Sequence, residues 1–539
     1  MVLAAASFAA GVIVADRPNH DVQHLVTRYV TAWTHGRVAA MYAMLDQGSK
    51  ARVSERRFAD ELNGDRATAT ATSMRALRMT GPHDETIAVR MLIGTRIWGK
   101  LRETLDVPVT GSGSTIGVHL TPSLLFPGLR GAERLNRHTV LPSRGTLLAS
   151  DGTPLAEGAD RYTPIPSVAI QIVGTLEAIP KADAAHYTAM GYPAHAQVGS
   201  DGLEHIFQSR LAGQVGGKLL AGHRVLASVK PVKAKPVHTT INPGMETAAV
   251  QSLAGQYAGI AVMNPHTGGL EALAGIAFSA LQPPGSTMKI VTSTAALQAH
   301  LVTLNTTFPD ATESTVGGYT LQNASGEDCG GTLLNAFAVS CNSVFAPLGL
   351  RVGAKRFLAT AERFGFNHPS SIQGALEPTV PPSSLNTDSE LGESAIGQGL
   401  VQATPLQMAD VAATIADGGR RPIPTLAAGA KPRFVRVTTQ QVASDVQQMM
   451  EAVVSEGTGT AAQIPGVTVA GKTGTSQIAN GTGSNTVGSL QNTDAWFVGY
   501  APVGAPVIVA GSLFPNAGSG GDAAAPSVRD LIEYALAHH

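Results

Sequence analysis

Pro283-Pro284-Gly285-Ser286-Thr287-Met288-Lys289 is the stretch on which the reading of this chain turns. Two prolines and a glycine force a turn and then open a helix. Ser286 therefore falls at or near a helix N-terminus, where orphan N–H groups and the helix dipole favour developing negative charge. Lys289 comes one turn later, so its amine returns to the same face as the hydroxyl. A serine hydroxyl needs a base to act as a nucleophile at neutral pH. A lysine serves as that base only where burial, the positive helix end and a second cation push its pKa down. Taken alone, the pair reads more simply as an N-cap and a surface lysine.

Two downstream motifs reverse that preference. Ser340-Cys341-Asn342 follows a helical run, Leu333 to Val339, and projects from its end. Lys472-Thr473-Gly474-Thr475 follows Val467-Thr468-Val469-Ala470, whose alternation reads as a strand. Gly474 lets a ligand backbone approach closely. The flanking hydroxyls and ammonium suit a carboxylate, and Lys472 supplies the second cation that Lys289 needs. Each motif alone is bland: a helix-end loop, or an edge strand blunted by a lysine. A Ser-x-x-Lys or Ser-x-Asn arises about once by chance in such a chain. The order of the three, with their contexts, carries the signal.

Working outward, 539 residues correspond to roughly three to four domains. Lys+Arg 38 against Asp+Glu 39 gives a net charge of -1, without the basic excess of a protein that binds nucleic acid by neutralising phosphates. Two cysteines rule out a disulfide scaffold and any cysteine-built metal centre. Cys329 and Cys341 either close a loop worth roughly 3 kcal/mol in an exported chain or stay two thiols in a cytosolic one. The uncharged stretch Met1 to Ala15 is short of the ~20 residues that span a bilayer. It reads either as a buried helix or, preferably, as the end of a membrane anchor or export signal.

Helical spacing of Val22, Leu25, Val26, Tyr29 and Trp33 and the alternation Glu85 to Met91 make a small α+β domain ending near residue 130. Turns and short strands follow, with Ser150-Asp151-Gly152 between two apolar runs, and Lys230 to Pro236 has the composition of a linker. Beyond it, Ala258 to Met263 and Leu270 to Ala274 bracket a hairpin turn. Thr404-Pro405-Leu406-Gln407 opens a helix with Gln407 placed for a capping box. Val442 to Val454 carries a helical core stripe, and late strands precede a helix from about Ser527. The class expected is α+β, an antiparallel sheet covered by helices.

With these residues in view, the chain resembles the class B penicillin-binding proteins, within the serine family that includes the β-lactamases. Supporting segments are Gly268 to Ala274, Ile396-Gly397-Gln398-Gly399, Thr404 to Ala409, Gly457-Thr458-Gly459-Thr460 and Ala495 to Tyr500. Arg144-Gly145, Gly202-Leu203-Glu204 and Leu211-Ala212-Gly213 are similar to the family's pedestal or dimerisation domain. The N-terminal region resembles a nuclear-transport-factor-2-like module. The resemblance implies a residual anchor over 1–17, that module over 18–130, a pedestal over 131–236 and a transpeptidase domain with an additional all-helical part over 237–539.

The roles follow from the same resemblance. Ser286 is the acylated nucleophile, Lys289 its base, Ser340 the proton relay and Asn342 the group that positions Lys289 and substrate. Lys472 keeps the field positive, Thr473 and Thr475 take the substrate carboxylate, and Gly474 admits its backbone. The N–H groups of Ser286 and Thr475 form an oxyanion hole. The implied substrates are D-Ala-D-Ala stem peptides and β-lactams, with an amine acceptor, no cofactor and no metal. A membrane-bound glycosyltransferase is the implied partner, with the catalytic domain outside the cell membrane. Departures are Ala149-Ser150 where the pedestal motif usually continues Asp-Arg, and Cys341 within the Ser-x-Asn motif, where a bond to Cys329 would brace the loop. A D,D-carboxypeptidase, a β-lactamase, or a non-turnover β-lactam sensor or divisome scaffold are the competing readings. The segment Asn480 to Asn492 is expected to be mobile near the cleft.

Overall fold

The apolar stripe of Val22, Leu25, Val26, Tyr29 and Trp33 builds α1 (His20–Thr34), which ends at Gly36 in the left-handed region (φ 68°). The computed structural model describes residues 20–80, 85–477 and 493–538. The expected anchor, 1–17, and the segment 480–492 lie outside the described residues. The chain forms two compact units, one of Met1–Gly145, Leu176–Val198 and Ser209–Lys235, the other of Thr146–Thr175, Gly199–Gln208 and Pro236–His539.

In the first unit, α1 is followed by α2 (Val38–Ala43), α3 (Gln47–Arg52) and α4 (Glu55–Thr68). Asp46 and Ser54 cap the last two helices by accepting from Ser49 N and Arg57 N. The antiparallel meander β1 (Ala71–Met79), β2 (Thr86–Thr95), β3 (Lys100–Thr110) and β4 (Gly117–Val118) lies against them. Ile87, Val89, Met91 and Ile93 alternate inward along β2 and join Tyr29, Trp33, Phe58 and Leu62 in one core. A second sheet pairs Gly216–Ala221 with Leu135–Val140 on one side and Arg224–Val229 on the other. The linker-like run is not free chain, since Val232 bridges to Gln214.

The stretch 131–236 is divided between the units. Leu147–Leu148 belongs to the second because it pairs with both Val237–His238 and Pro154–Ala156, turning at Gly152 (φ 87°). The rest of that unit is built on α5 (Pro243–Ser252), β5 (Gly259–Met263), β6 (Leu270–Gly275), α6 (Lys289–Gln298), α7 (Leu333–Ala338), α8 (Asn342–Val352), α9 (Pro405–Ala416), α10 (Gln440–Ser455), β7 (Ala470–Gln477), β8 (Thr493–Ala501), β9 (Ile508–Phe514) and α11 (Ala525–His538). The sheet is antiparallel throughout, in the order β6-β5-β9-β8-β7. Every residue of β8 and β9 is buried, because α5 and α11 cover one face and α9 the other.

Two local expectations are corrected. The strand begins at Ala470 and runs through Lys472 to Thr475, so the motif lies on the strand rather than after it; Val467 instead closes a short bridge with Ile464. Thr404 caps α9 by accepting from Gln407 N, but the Gln407 side chain donates to Phe364 O, 2.7 Å away, in place of the capping-box return. The Phe364 carbonyl supplies the acceptor that a buried amide requires.

Candidate active site

The nucleophile turn is set by backbone proximity. Gly285 is left-handed (φ 54°), and a Cβ there would lie 2.8 Å from the Thr475 carbonyl oxygen. Its N–H donates to Gly397 O at 2.9 Å. Ser286 then sits in the single 3-10 turn Gly285–Met288 that opens α6, in the first turn, whose N–H groups have no intrahelical acceptor. Thr475 lies on β7, the edge strand, and its carbonyl accepts from Gln398 Nε2 at 3.3 Å. The N–H and C=O of one strand residue point the same way, so the Thr475 N–H faces that open edge as well.

The second motif hangs on an unfavourable conformation. Ser340 follows α7 with φ 66°, a left-handed position that glycine or asparagine usually fills. That turn aims the Ser340 hydroxyl between the two lysines. Lys289 Nζ lies 3.2 Å from Ser340 Oγ, 2.6 Å from Ser340 O and 2.7 Å from Asn342 Oδ1. Lys472 Nζ lies 2.9 Å from the same Ser340 Oγ and 3.0 Å from Thr473 O. The next residue, Cys341, is bonded to Cys329, which ties the strand Cys329–Thr332 to the middle of the motif.

Both lysines are fully buried, and neither is ion-paired among the described residues. Burial, and then the Lys472 charge, hold Lys289 well below the usual lysine range. Burial alone brings Lys472 down to about 7. Under them lie two phenylalanines in an edge-to-face pair, Lys289 Nζ 5.5 Å from the Phe345 ring and Lys472 Nζ 5.5 Å from the Phe337 ring. These quadrupoles give the buried cations part of what water would otherwise supply. β7 is an edge strand, but Lys472 does not blunt it, since its ammonium is buried in the protein.

The structure thus bonds Lys289, Ser340, Asn342, Lys472 and Thr473 into one cluster. Ser286 is on the same turn as Lys289, whose backbone N–H donates to the Ser286 carbonyl, but the Ser286 hydroxyl carries no hydrogen bond among the described residues; the lysine's side-chain donors go to the Ser-x-Asn loop. Thr475 Oγ1 accepts from Gly520 N, and Gly474 is pressed against Pro284 O and the Trp496 side chain. Several participants escaped sequence reasoning as site residues. Thr458 Oγ1 is 2.5 Å from Thr473 Oγ1, and Gln398 holds the Thr475 carbonyl; each sat in a segment noted only for its family likeness. Phe337 falls inside the helical run Leu333 to Val339, and Phe345 is not singled out. No group of three or more metal-ligating side chains occurs among the described residues.

Comparison with known proteins places this geometry. The penicillin binding protein transpeptidase domain matches residues 258–533, just over half of the chain, and the penicillin-binding protein dimerisation domain matches 155–235. The peptidoglycan D,D-transpeptidase PbpA of Mycobacterium tuberculosis is 34% identical over 287 residues, 48% of this chain and 56% of that protein. Penicillin-binding protein 3 of Bacillus subtilis is 24% identical over 394 residues, 64% of this chain and 57% of that protein. The chain thus spans little more than half the length of these curated relatives. Among solved structures, penicillin-binding protein 3 of Mycobacterium tuberculosis in complex with aztreonam has a TM-score of 0.61 at 25% identity, covering 74% of this chain and 97% of that one. The D,D-transpeptidase domain of an Eggerthella lenta peptidoglycan glycosyltransferase has a TM-score of 0.60 at 25% identity, covering 74% and 98%. On the sequence match over more than half its length, the chain belongs to the penicillin-binding protein transpeptidase domain family.

Proposed function

We propose that the chain is a peptidoglycan D,D-transpeptidase working through an acyl-enzyme on Ser286. The observation that carries this reading is the Ser340 hydroxyl held between two buried lysines of lowered pKa, one of them a turn from a serine whose hydroxyl has no hydrogen bond among the described residues. As a free amine, Lys289 gives up one of its three donor contacts and turns a lone pair towards Ser286 Oγ. Ser286 attacks the carbonyl of the D-Ala-D-Ala bond while its proton passes to Lys289 Nζ. The oxyanion forms against the N–H groups of Ser286 and Thr475; one such donor is worth ~3–4 kcal/mol in other acyl-transfer enzymes. The C–N bond then breaks, and Ser340 relays a proton to the departing D-Ala amine. The amine of a second peptide attacks the ester, releasing the cross-link and restoring Ser286.

Lys472, Thr473 and Thr475 take the terminal carboxylate of the donor, with Thr458 keeping the Thr473 hydroxyl in place. A β-lactam enters by the same attack, its amide bond opening while the ester persists; the aztreonam complex of the M. tuberculosis relative supports this. Residues 18–130 act as a nuclear-transport-factor-2-like module, supported by helices α1–α4 against a four-stranded meander. Residues 131–236 serve as the pedestal, supported by the match over 155–235. Residues 1–17 are the end of a membrane anchor that keeps the catalytic unit outside the cell membrane, beside a membrane-bound glycosyltransferase. Among the described residues no helix is long and apolar enough to cross a membrane.

The test is labelling with a fluorescent β-lactam, comparing the wild type with Ser286→Ala. Labelling that persists in the variant overturns the nucleophile. Incubation with a D-Ala-D-Ala donor and an added amine then separates transpeptidation from hydrolysis: release of D-Ala without amine adduct would replace the transpeptidase with a carboxypeptidase.

A further inference from the structure

The helix α8 begins inside the catalytic motif, at Asn342, and its N-cap side chain does nothing for it. Cys341 makes no side-chain cap bond, its sulfur being joined to Cys329. The first-turn N–H groups of a helix need acceptors from elsewhere. One comes from Asn323, in the turn after the hairpin of Glu313–Val316 and Tyr319–Gln322: its Oδ1 accepts from Ser343 N at 2.8 Å. The Asn323 side chain is 4% exposed. Its Nδ2 lies 2.7 Å from Ala311 O, 2.9 Å from Glu327 O and 3.1 Å from Ser343 Oγ, so its own position is over-determined. Beside it, the Gln322 carbonyl accepts from Asn342 Nδ2 at 2.8 Å.

These two consecutive residues grip two consecutive residues of the site. The Gln322 contact decides which end of the Asn342 amide faces Lys289. With the amide nitrogen on a carbonyl, Oδ1 is left for the ammonium at 2.7 Å. A flipped amide would set NH2 against the Lys289 ammonium and oxygen against oxygen at Gln322.

We propose that Asn323 is a positioning residue for acylation, capping α8 from outside the helix and so holding the Asn342 carbonyl on Lys289. The proposal rests on the acyl-enzyme reading above. Asn323 touches neither substrate nor reacting atoms; it acts through Ser343 and Asn342. Its loss leaves the catalytic side chains in place but frees the start of α8 and the Asn342 amide. The oxygen of Asn342 favours the protonated form of Lys289, and Lys472, the charged group acting on that lysine, opposes it. Losing the oxygen therefore lowers the Lys289 pKa further.

The experiment compares the full chain with Asn323→Ala and Asn323→Asp by β-lactam acylation kinetics, resolved into a binding constant and a first-order acylation rate across pH. Asn323→Ala is expected to slow the first-order rate about tenfold with binding unchanged, the scale of one hydrogen bond lost at a buried site. Its acid limb is expected to move to lower pH, which a merely structural role would not do. Amide hydrogen exchange provides an arm independent of activity: Ser343 N–H loses protection in Asn323→Ala and regains it in Asn323→Asp, whose carboxylate still accepts at a helix N-terminus. If Asn323→Ala does not fold, Asn323→Asp carries the test: acylation retained near the wild-type rate with Ser343 still protected supports the reading, and slow acylation with Ser343 still protected opposes it. Wild-type rate and acid limb in a folded Asn323→Ala overturn the proposal. Should the wild type itself fail to acylate, the acyl-enzyme reading falls instead, and unchanged Ser343 exchange in Asn323→Ala still overturns the cap.

Discussion

Replacing Gly285 by alanine should disable the nucleophile turn while leaving every catalytic side chain present. The residue has φ 54°, and an added Cβ would stand 2.8 Å from Thr475 O, 2.9 Å from its carbonyl carbon and 3.1 Å from its nitrogen. All three are backbone atoms, so no side-chain rotation relieves the contact. Nor can the strand retreat, because β7 is pinned to β8 by the pairs Gly474–Trp496 and Thr475–Ala495. On the other side, Gly397 O accepts the Gly285 N–H, and a Cβ at Gly397 would collide with Gly285 O. A non-glycine residue in the left-handed region costs about 1–2 kcal/mol. Overpacking a close contact costs about 1–3 kcal/mol more. At about 2–4 °C per kcal/mol, Gly285→Ala should lower the melting midpoint by roughly 4–20 °C. Relief by moving the turn would displace Ser286 from the Thr475 N–H, and a 1 Å misplacement costs about 100-fold in rate. The assay is the second-order rate of fluorescent β-lactam acylation beside a thermal melt. Gly429→Ala is the control, with φ 72° and no atom within 4 Å of its Cβ, so it carries the conformational cost alone. Acylation within threefold of the wild type in Gly285→Ala, with an unshifted midpoint, would refute the claim that backbone contact sets the turn.

The acylation rate constant for free enzyme should fall on an alkaline limb near the Lys472 value of about 7, where that lysine loses its charge, and on an acid limb where Lys289 gains a proton; a rate flat from neutral to alkaline pH would contradict it. Ser340→Ala removes the hydroxyl common to both lysines and should slow acylation about 100-fold or more, on the scale of general acid–base assistance, as read by stopped-flow labelling. Thr458→Val should weaken β-lactam binding about threefold to tenfold with little change in the first-order rate, since Thr473 loses its hydroxyl partner; a titration of observed rate against concentration shows this. Remote from the site, Asp410 on α9 is paired with Arg421 at 3.0 Å, and burial, against that cation, pushes its carboxyl up to about 7. Its folded pKa exceeds its unfolded one, so its contribution to stability is present below about 4 and lost as pH rises through about 7. Arg421→Met should therefore cost about 3–5 kcal/mol at pH 8 and distinctly less at pH 5, measured by urea unfolding at the two pH values.

How far the sequence could be read depended on the range of the interaction. The hairpin of β5 and β6, α9 and α10 all carry local signals: a turn between apolar runs, a Thr-Pro N-terminus, a stripe at helical period. Lys472 was placed a few residues wrong relative to its strand because Val467 to Ala470 alternate as convincingly as the residues after them. Only the pairing with β8, more than twenty residues away, decides where the ladder begins. Ser286, Lys289, Ser340, Asn342 and Lys472 were named as a set through the family resemblance that their three motifs, in that order, carry. Their supports were not. Asn323 reaches Ser343 across 20 residues, Thr458 reaches Thr473 across 15, and Gln398 reaches Thr475 across 77, and no local pattern encodes such bonds. The strained Ser340 was equally hidden, since a serine in a left-handed turn looks like any serine.

The charge distribution follows from these supports. A buried ammonium normally requires a carboxylate, yet Lys289 and Lys472 share a hydroxyl, carbonyl oxygens and two aromatic faces instead. With Lys472 brought down to about 7 and Lys289 held well below the usual lysine range, the two amines do not both carry a full charge near neutrality. A resident carboxylate would raise both lysines into their ordinary range and leave no base for Ser286. Under the proposed reaction the missing anion arrives with the substrate. Its carboxylate settles on Lys472 and the threonines of β7, and there it favours the proton on Lys472 while Lys289, against the Ser340 and Asn342 oxygens, stays free to accept one. The site thus completes its ion pair only when there is an acyl donor to attack, which explains why two lysines are kept dry and unpaired at a measurable cost in stability.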